Sequence, residues 1–250
     1  MTPASADAAA EAGPPERNAL MRARPFGDGP LPGPWTRGGG DAPEVWLLRG
    51  ADGTAGHEHV LDAGERARAD AFVRAGHRER YVAAHVALRR LLGAYLGLAP
   101  GEVEFVREPC PCCGAPHGRP AVAGAPFHFS LSHAGDLALL AFADVPVGAD
   151  VEQEPRPSVV ADVAGSLHPR EAAELAALPE AERVRAFARC WTRKEAYLKG
   201  TGTGLAEALS VTYVGCGEHP ASPDGWSVRD VAVGEGYTAA VALAAARPHR

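Results

Sequence analysis

The chain has 250 residues, is 46% apolar and carries a net charge of −6. That length builds one large domain or two small ones with real cores, and the charge gives no sign of a nucleic-acid partner. No apolar run approaches the ~20 residues of a membrane helix. The N-terminus lacks a basic stretch followed by an apolar one, so the five cysteines are expected in a reduced, cytoplasmic protein away from membranes.

Residues 1–41 are rich in Pro, Gly and Ala with almost no apolar pattern, and read as a flexible extension. The pattern leaves Trp35 and Arg37 undecided between a local contact and solvent. Glu44 to Leu48 (EVWLL) reads as a first strand, and Ala63 to Phe72 as a short helix bearing Arg66 and Arg68. A longer helix is expected from His77 to Leu96. Tyr81, Ala84, Leu88, Leu91, Leu92 and Tyr95 recur at helical spacing and form its buried stripe. Gly97 and Pro100 end it. Arg78, Arg80, Arg89 and Arg90 surround the stripe and read mostly as a solvated face, with one or two free to meet a phosphate.

Cys110, Cys112, Cys113 and His117 follow within eight residues. Cys110-x2-Cys113-x3-His117 supplies part of a zinc site. Cys190 and Cys216 are distant in sequence, so the set is incomplete and a turn-rich loop with cysteines as small apolar fillers is favoured. Gly118-Arg119-Pro120 then forms a rigid turn with one basic side chain, before a short strand at Ala121-Val122.

Phe127 to Glu152, FHFSLSHAGDLALLAFADVPVGADVE, is the most informative stretch. Phe127, Phe129 and Leu131 alternate with His128, Ser130 and Ser132, which marks a half-buried strand. Ala134-Gly135-Asp136 is a turn, and Leu137 to Phe142 a returning apolar strand. In the next strand Val147, Ala149 and Val151 share one face, and Gly148, Asp150 and Glu152 the other. Carboxylates at i and i+2 sit about 6.5–7 Å apart at the backbone, able to converge on one hard cation. Gly148 leaves room for a ligand to approach the main chain.

A Pro-rich connection (Glu154 to Ser158) leads to a helix from His168 through Leu178. A second helix runs from Pro179 to Lys199, with Val184, Phe187, Trp191 and Leu198 as its stripe. Glu195 is eleven residues after Val184, a rotation that returns to within ~20° of it, so Glu195 is expected on the buried side. A buried carboxylate needs a cation or strong hydrogen bonds. Lys199 lies one turn further along that face; a plain i,i+4 pair, worth only tenths of a kcal/mol, is the bland alternative. Thr201 to Leu205 (TGTGL) lacks the strand-then-helix context of a dinucleotide fingerprint. Val211 to Val214, Trp226 to Val233 and Tyr237 to Leu243 read as strands. LALLAFA and TAAVALA echo one another and suggest two related halves.

Asp150, Glu152 and Glu195 offer only oxygen ligands, which suit Mg²⁺ or Mn²⁺ and not zinc. Ser132, His133, Lys199 and Arg119 are nearby candidates for phosphate. A divalent ion with carboxylates and basic groups points to phosphoryl-group chemistry on a diphosphate or nucleotide. A Ser132-His133 hydrolase is disfavoured, because adjacent residues do not readily form the nucleophile–base hydrogen bond.

GRP, FSLSHAGD, VGADVE and WTRKEAYLKGTGTGL, in that order, resemble the 4′-phosphopantetheinyl transferases of the long, Sfp-like class. The resemblance covers roughly Glu44 to Leu243. It implies an α/β (α+β) fold of two similar subdomains related by a pseudo-twofold, at residues 42–153 and 154–250, with the active site between them. The doubled length, compared with the short trimeric holo-acyl-carrier-protein synthases, implies a monomer.

The implied reaction moves the phosphopantetheine arm of coenzyme A onto a serine of an apo acyl, peptidyl or aryl carrier protein and releases adenosine 3′,5′-bisphosphate. Asp150, Glu152 and Glu195 would hold Mg²⁺ on the coenzyme A diphosphate, and Glu195 would also help deprotonate the serine. Lys199 would neutralise the diphosphate. Ser132 and His133 would contact phosphates, His133 the 3′-phosphate, with Arg68 and Arg80 as further 3′-phosphate contacts. Gly118, Arg119 and Pro120 would frame the adenine, with arginine where lysine is frequent. Polyketide, nonribosomal peptide, siderophore and fatty-acid carriers all remain open. The alternative from a different class is a binding module stapled by zinc at Cys110, Cys113 and His117.

Overall fold

The computed structural model describes residues 20–37, 42–204 and 207–246. Two four-stranded sheets organise them. One runs β2 (Arg24–Pro25), β3 (Glu44–Arg49), β7 (Leu137–Ala143), β6 (His128–Ala134); the other runs β1 (Met21–Arg22), β9 (Trp226–Ala232), β10 (Tyr237–Ala244), β8 (Val147–Gln153). In each, a two-residue strand pairs in parallel with its neighbour and the remaining ladders are antiparallel. LALLAFA and TAAVALA, the two strands that echo in sequence, take the same third position. A separate hairpin, β4 (Phe105–Arg107) with β5 (Pro120–Val122), carries the cysteine loop.

The helices are α1 (Ala63–Asp70), α2 (Ala75–Leu96), α3 (Pro157–Val163), α4 (Pro169–Ala177) and α5 (Glu180–Thr201). β7 shows why its sequence is a continuous apolar run. Ala138, Leu140 and Phe142 pack against Leu88, Leu91 and Leu92 of α2, while Leu139, Ala141 and Ala143 meet Ala149, Val151 and Val241 between the sheets. A strand buried on both faces has no polar side to alternate with. On the far side, Ala196 of α5 packs on Val228, Ala240 and Ala242. The layers are therefore helix, sheet, sheet, helix, an α/β architecture as expected.

Local signals set the helix ends. Asp62 and Glu65 form a reciprocal capping box at the start of α1. α2 stops at Gly97, whose φ of +68° is the left-handed cap that glycine adopts without strain. The stripe expected for α2 is buried except for the half-buried Tyr81, but Arg89 departs from the solvated face assigned to it. Arg89 is fully buried. Its guanidinium donates to Glu65 at 2.5 Å and Asp62 at 2.6 Å, and to the carbonyls of Pro100 and Val103 at 3.1 Å. A charge so placed survives because each of its three nitrogens has a partner.

Two further expectations are corrected. Residues 20–37 are docked, not an extension: Phe26 is buried in the α2 core, and Trp35 packs on Tyr95 and Phe127 while its indole donates to Asp144 at 2.7 Å. Pro and Gly masked this, since isolated anchors in such a stretch have no period. Residues 1–19 and 38–41 lie outside the described residues. Val211–Val214 is a turn and loop, not a strand; Lys194 and Glu171 capture its backbone through the Thr212 carbonyl and the Val214 amide. β8, which a division at residue 153 assigns to the first half, hydrogen-bonds with β10 along its whole length.

Because Phe26 is 4% exposed, Phe26→Ala should cost ~3 kcal/mol or more, read as a shift of the denaturation midpoint without a change of slope. A wild-type midpoint would mean that the segment contributes nothing to the core.

Candidate active site

Two glycines set the geometry. Val147, Ala149 and Val151 point into the core between the sheets, so Gly148, Asp150 and Glu152 face α5. A Cβ on Gly148 would overlap the Ala196 carbonyl and the Gly200 amide and lie 2.9 Å from Gly200 Cα; a Cβ on Gly200 would lie 2.6 Å from the Trp226 ring. The room expected beside Gly148 for a ligand is thus filled by the backbone of α5. That contact sets Glu195 and Lys199 over the strand.

Lys199 Nζ lies 2.5 Å from Asp150 Oδ1 and donates to Ser132 Oγ at 2.9 Å, while Ser132 Oγ donates to Asp150 Oδ1 at 2.8 Å. Lysine therefore pairs across to the strand and not along its helix with Glu195. Asp150 is 2% exposed in this pair and Lys199 34%, so the cation looks outward and the carboxylate is sealed beneath it. Ser130 Oγ accepts from Ala149 N–H at 3.0 Å, which ties β6 to β8 and places Ser132.

Glu152 and Glu195 join the same field. Burial, then the negative charge of Asp150 and also that of Glu195, push the Glu152 carboxyl up to about 7; Lys199 and a hydrogen bond from Trp191 oppose this. Burial and Asp150 raise Glu195 as well, with Lys199 opposing. Three carboxylates thus exceed what one lysine neutralises. Asp150 Oδ2 is buried with no hydrogen-bond partner, a state that costs ~1–3 kcal/mol. Excess negative charge and an orphaned oxygen are what a hard divalent cation would satisfy. Among the described residues the ligand oxygens of Asp150, Glu152 and Glu195 are not drawn together as a close-set group.

His133 and Arg80 line one small concavity with Gly135 and Asp136. Arg80 pairs with Asp136 at 3.2 Å. Partial desolvation and then the charge of Lys199, joined by Arg80, hold the His133 imidazole below its usual pKa, as expected of a site short of an anion. Arg68 is elsewhere, exposed on α1 with its guanidinium 5.8 Å from the Phe72 ring. Arg119 donates to Glu108 at 2.6 and 3.0 Å and to the Gly200 carbonyl at 2.5 Å. It clamps the Gly118-Pro120 turn to the end of α5, next to Lys199, and its charge is already answered.

Trp191 was legible only as part of the apolar stripe, yet its indole reaches Glu152. Arg193 and Lys194 are buried supports. Arg193 grips Asp230 at 2.6 and 2.8 Å, and Lys194 pairs with Glu171 at 2.7 Å.

A family model described as the 4′-phosphopantetheinyl transferase superfamily matches residues 146–227. The 4′-phosphopantetheinyl transferase HetI of Nostoc sp. is 35% identical over 190 residues, covering 74% of this chain and 79% of that protein. The 4′-phosphopantetheinyl transferase psf-1 of Bacillus pumilus is 31% identical over 147 residues, 58% of this chain and 60% of that protein. Sfp of Bacillus subtilis is 30% identical over 94 residues, 37% and 42% of the two chains. The chain belongs to the 4′-phosphopantetheinyl transferase family, and its activity is phosphopantetheinyl transfer to a carrier protein. These matches do not favour the zinc-stapled binding module, the alternative from sequence. No helix among the described residues is long and apolar enough to cross a membrane.

The raised Glu152 carboxyl sets a sign for pH. Its folded pKa lies above the unfolded value of 4.5, so the folded state loses stability as pH rises from about 4.5 through 7. Glu152→Gln should stabilise the metal-free protein at pH 8 by on the order of 1 kcal/mol after solvent screening, and should give no gain at pH 4. Equal effects at both pH values in urea unfolding would contradict the like-charge cluster.

Proposed function

We propose that the chain catalyses Mg²⁺-dependent transfer of the 4′-phosphopantetheine arm of coenzyme A to a serine hydroxyl of an apo acyl, peptidyl or aryl carrier protein, releasing adenosine 3′,5′-bisphosphate. The observation that carries this reading is the Ser132–Asp150–Lys199 network set beside Glu152 and Glu195. Asp150, Glu152 and Glu195 would hold Mg²⁺, with Mn²⁺ as a substitute. That ion supplies charge neutralisation on the diphosphate.

The protein's own groups divide the remaining work. Lys199 faces the bound diphosphate and offsets charge on the leaving bisphosphate. Ser132 orients Lys199 and meets a phosphate oxygen. His133 and Arg80 receive the 3′-phosphate, with Arg68 of α1 as a further contact to it. The turn at Gly118, Arg119 and Pro120 forms a wall for the adenine. Glu195, its carboxyl raised by burial and by Asp150, takes the serine proton as the oxygen–phosphorus bond forms and the bond to the bisphosphate oxygen breaks. The two sheets with their helices act as pseudo-twofold subdomains, residues 42–153 and 154–250, with β8 paired into the second sheet, and the enzyme works as a cytoplasmic monomer.

Intact-mass measurement of a panel of apo-carriers incubated with coenzyme A tests the reaction itself. Mg²⁺ titration of two variants then tests the roles. Glu195→Gln should lose at least ~10-fold in rate and recover in part with added Mg²⁺ if it is chiefly a ligand; Lys199→Ala should lose a similar factor with no recovery. Near-wild-type rates in both would remove these residues from the mechanism.

A further inference from the structure

We propose that Cys110, Cys113 and His117 form a zinc site that fixes the loop between β4 and β5 of the enzyme. This is a structural metal within the transferase and no separate activity. The sequence spacing offers three ligands within eight residues, an incomplete set for a structural zinc. In the structure His117 folds back, and one ligand atom from each of the three residues lies within 4.8 Å of the others. Among the described residues this is the one close-set group of candidate ligand atoms.

The loop backbone closes on the main chain of Cys110. Gly114, at a φ of +74°, lets the chain reverse, and its amide donates to the Cys110 carbonyl at 2.8 Å. Cys110 N–H donates to Ala115 O at 2.8 Å and closes the turn. Cys113 Sγ is 3.1 Å from His117 Nε2, close enough to share the proton that a metal would displace. Two sulfurs and one imidazole nitrogen are donors that suit zinc and supply three of its four tetrahedral positions, the fourth falling to water. Binding forms two zinc–sulfur bonds and one zinc–nitrogen bond, releases any thiol protons to solvent and changes no oxidation state.

The loop has reason to need such a staple. Cys110 is buried, Cys112 and Cys113 are exposed, and none of the loop residues 111–118 belongs to a hydrophobic cluster of the described structure. A short loop without a core is where a metal replaces burial. Its far end is the Gly118-Arg119 turn: Gly118 N–H donates to Glu108 O at 2.9 Å, Glu108 N–H to Arg119 O at 3.0 Å, and Arg119 clamps α5 beside Lys199. Zinc at the tip would therefore hold one wall of the active site in register.

The test is zinc stoichiometry on the full chain. Protein purified with reductant, stripped with chelator, reloaded with zinc alone and desalted should carry stoichiometric zinc by elemental analysis. Cobalt in its place should give thiolate-to-metal charge-transfer bands. Cys110→Ser and Cys113→Ser should lose the metal, His117→Ala should bind roughly 10-fold or more weakly, and Cys112→Ser should keep it. Chelation should lower the melting temperature of the wild type but not of Cys113→Ser. If a variant fails to fold, the stripped and reloaded wild type still decides through its metal content and melting shift. A wild type that retains no zinc under reductant, or variants of Cys110 and Cys113 that retain it as well as the wild type, would overturn the site.

Discussion

The close approach of α5 to β8 is the constraint on which the site depends. Glycine at 148 and at 200 lets two backbones meet where any side chain would force them apart. The contact is short-range and steric, so it has no graded alternative. Once it is made, Lys199 lies above Asp150, Glu195 lies beside Glu152, and Arg119 finds the Gly200 carbonyl. The core between the sheets serves the same end, since Val147, Ala149 and Val151 fix which face of β8 looks at the helix.

Charge balance then distinguishes support from chemistry. Arg89, Arg193 and Lys194 are buried, and each is matched to a carboxylate and to backbone carbonyls. Such closed pairs add little net stability over an apolar packing, but removing one partner costs ~3–5 kcal/mol. The Asp150 cluster is the opposite case. It holds three carboxylates, one half-exposed lysine and an unpartnered oxygen. Unsatisfied charge at the end of a helix beside an open concavity is where a ligand contributes most.

How legible this was follows from where the signals lie. Strands β6 and β8 and helices α2 and α5 were readable because each shows its burial as a period of two or of 3.6 over many residues, and β7 because an unbroken apolar run follows a turn. The site residues on β8 and α5 were readable because the same periods say which way Asp150, Glu152 and Glu195 point. What was missed depends on contacts distant in sequence. Phe26 and Trp35 are single anchors in a stretch without a period. Arg89 looks like its surface neighbours Arg78 and Arg90 until Asp62 and Glu65 are brought beneath it by α1. Gly148 was read as space for a ligand, because sequence shows that a side chain is missing but not what fills the gap. The turn at 211–214 has strand-like residues, and captured backbone groups override that preference.

The most direct measurement is on Gly148→Ala, which adds one methyl group where α5 must rest. Melting temperature is followed together with the initial rate of carrier modification, at a temperature well below the melting point and with Mg²⁺ and coenzyme A in excess. If the glycine contact positions the site, the variant is destabilised by about 1–3 kcal/mol and loses most of its rate while still folded. A folded variant with the wild-type rate would contradict the account, because Lys199 and Glu195 would then reach Asp150 and Glu152 without the approach that places them there.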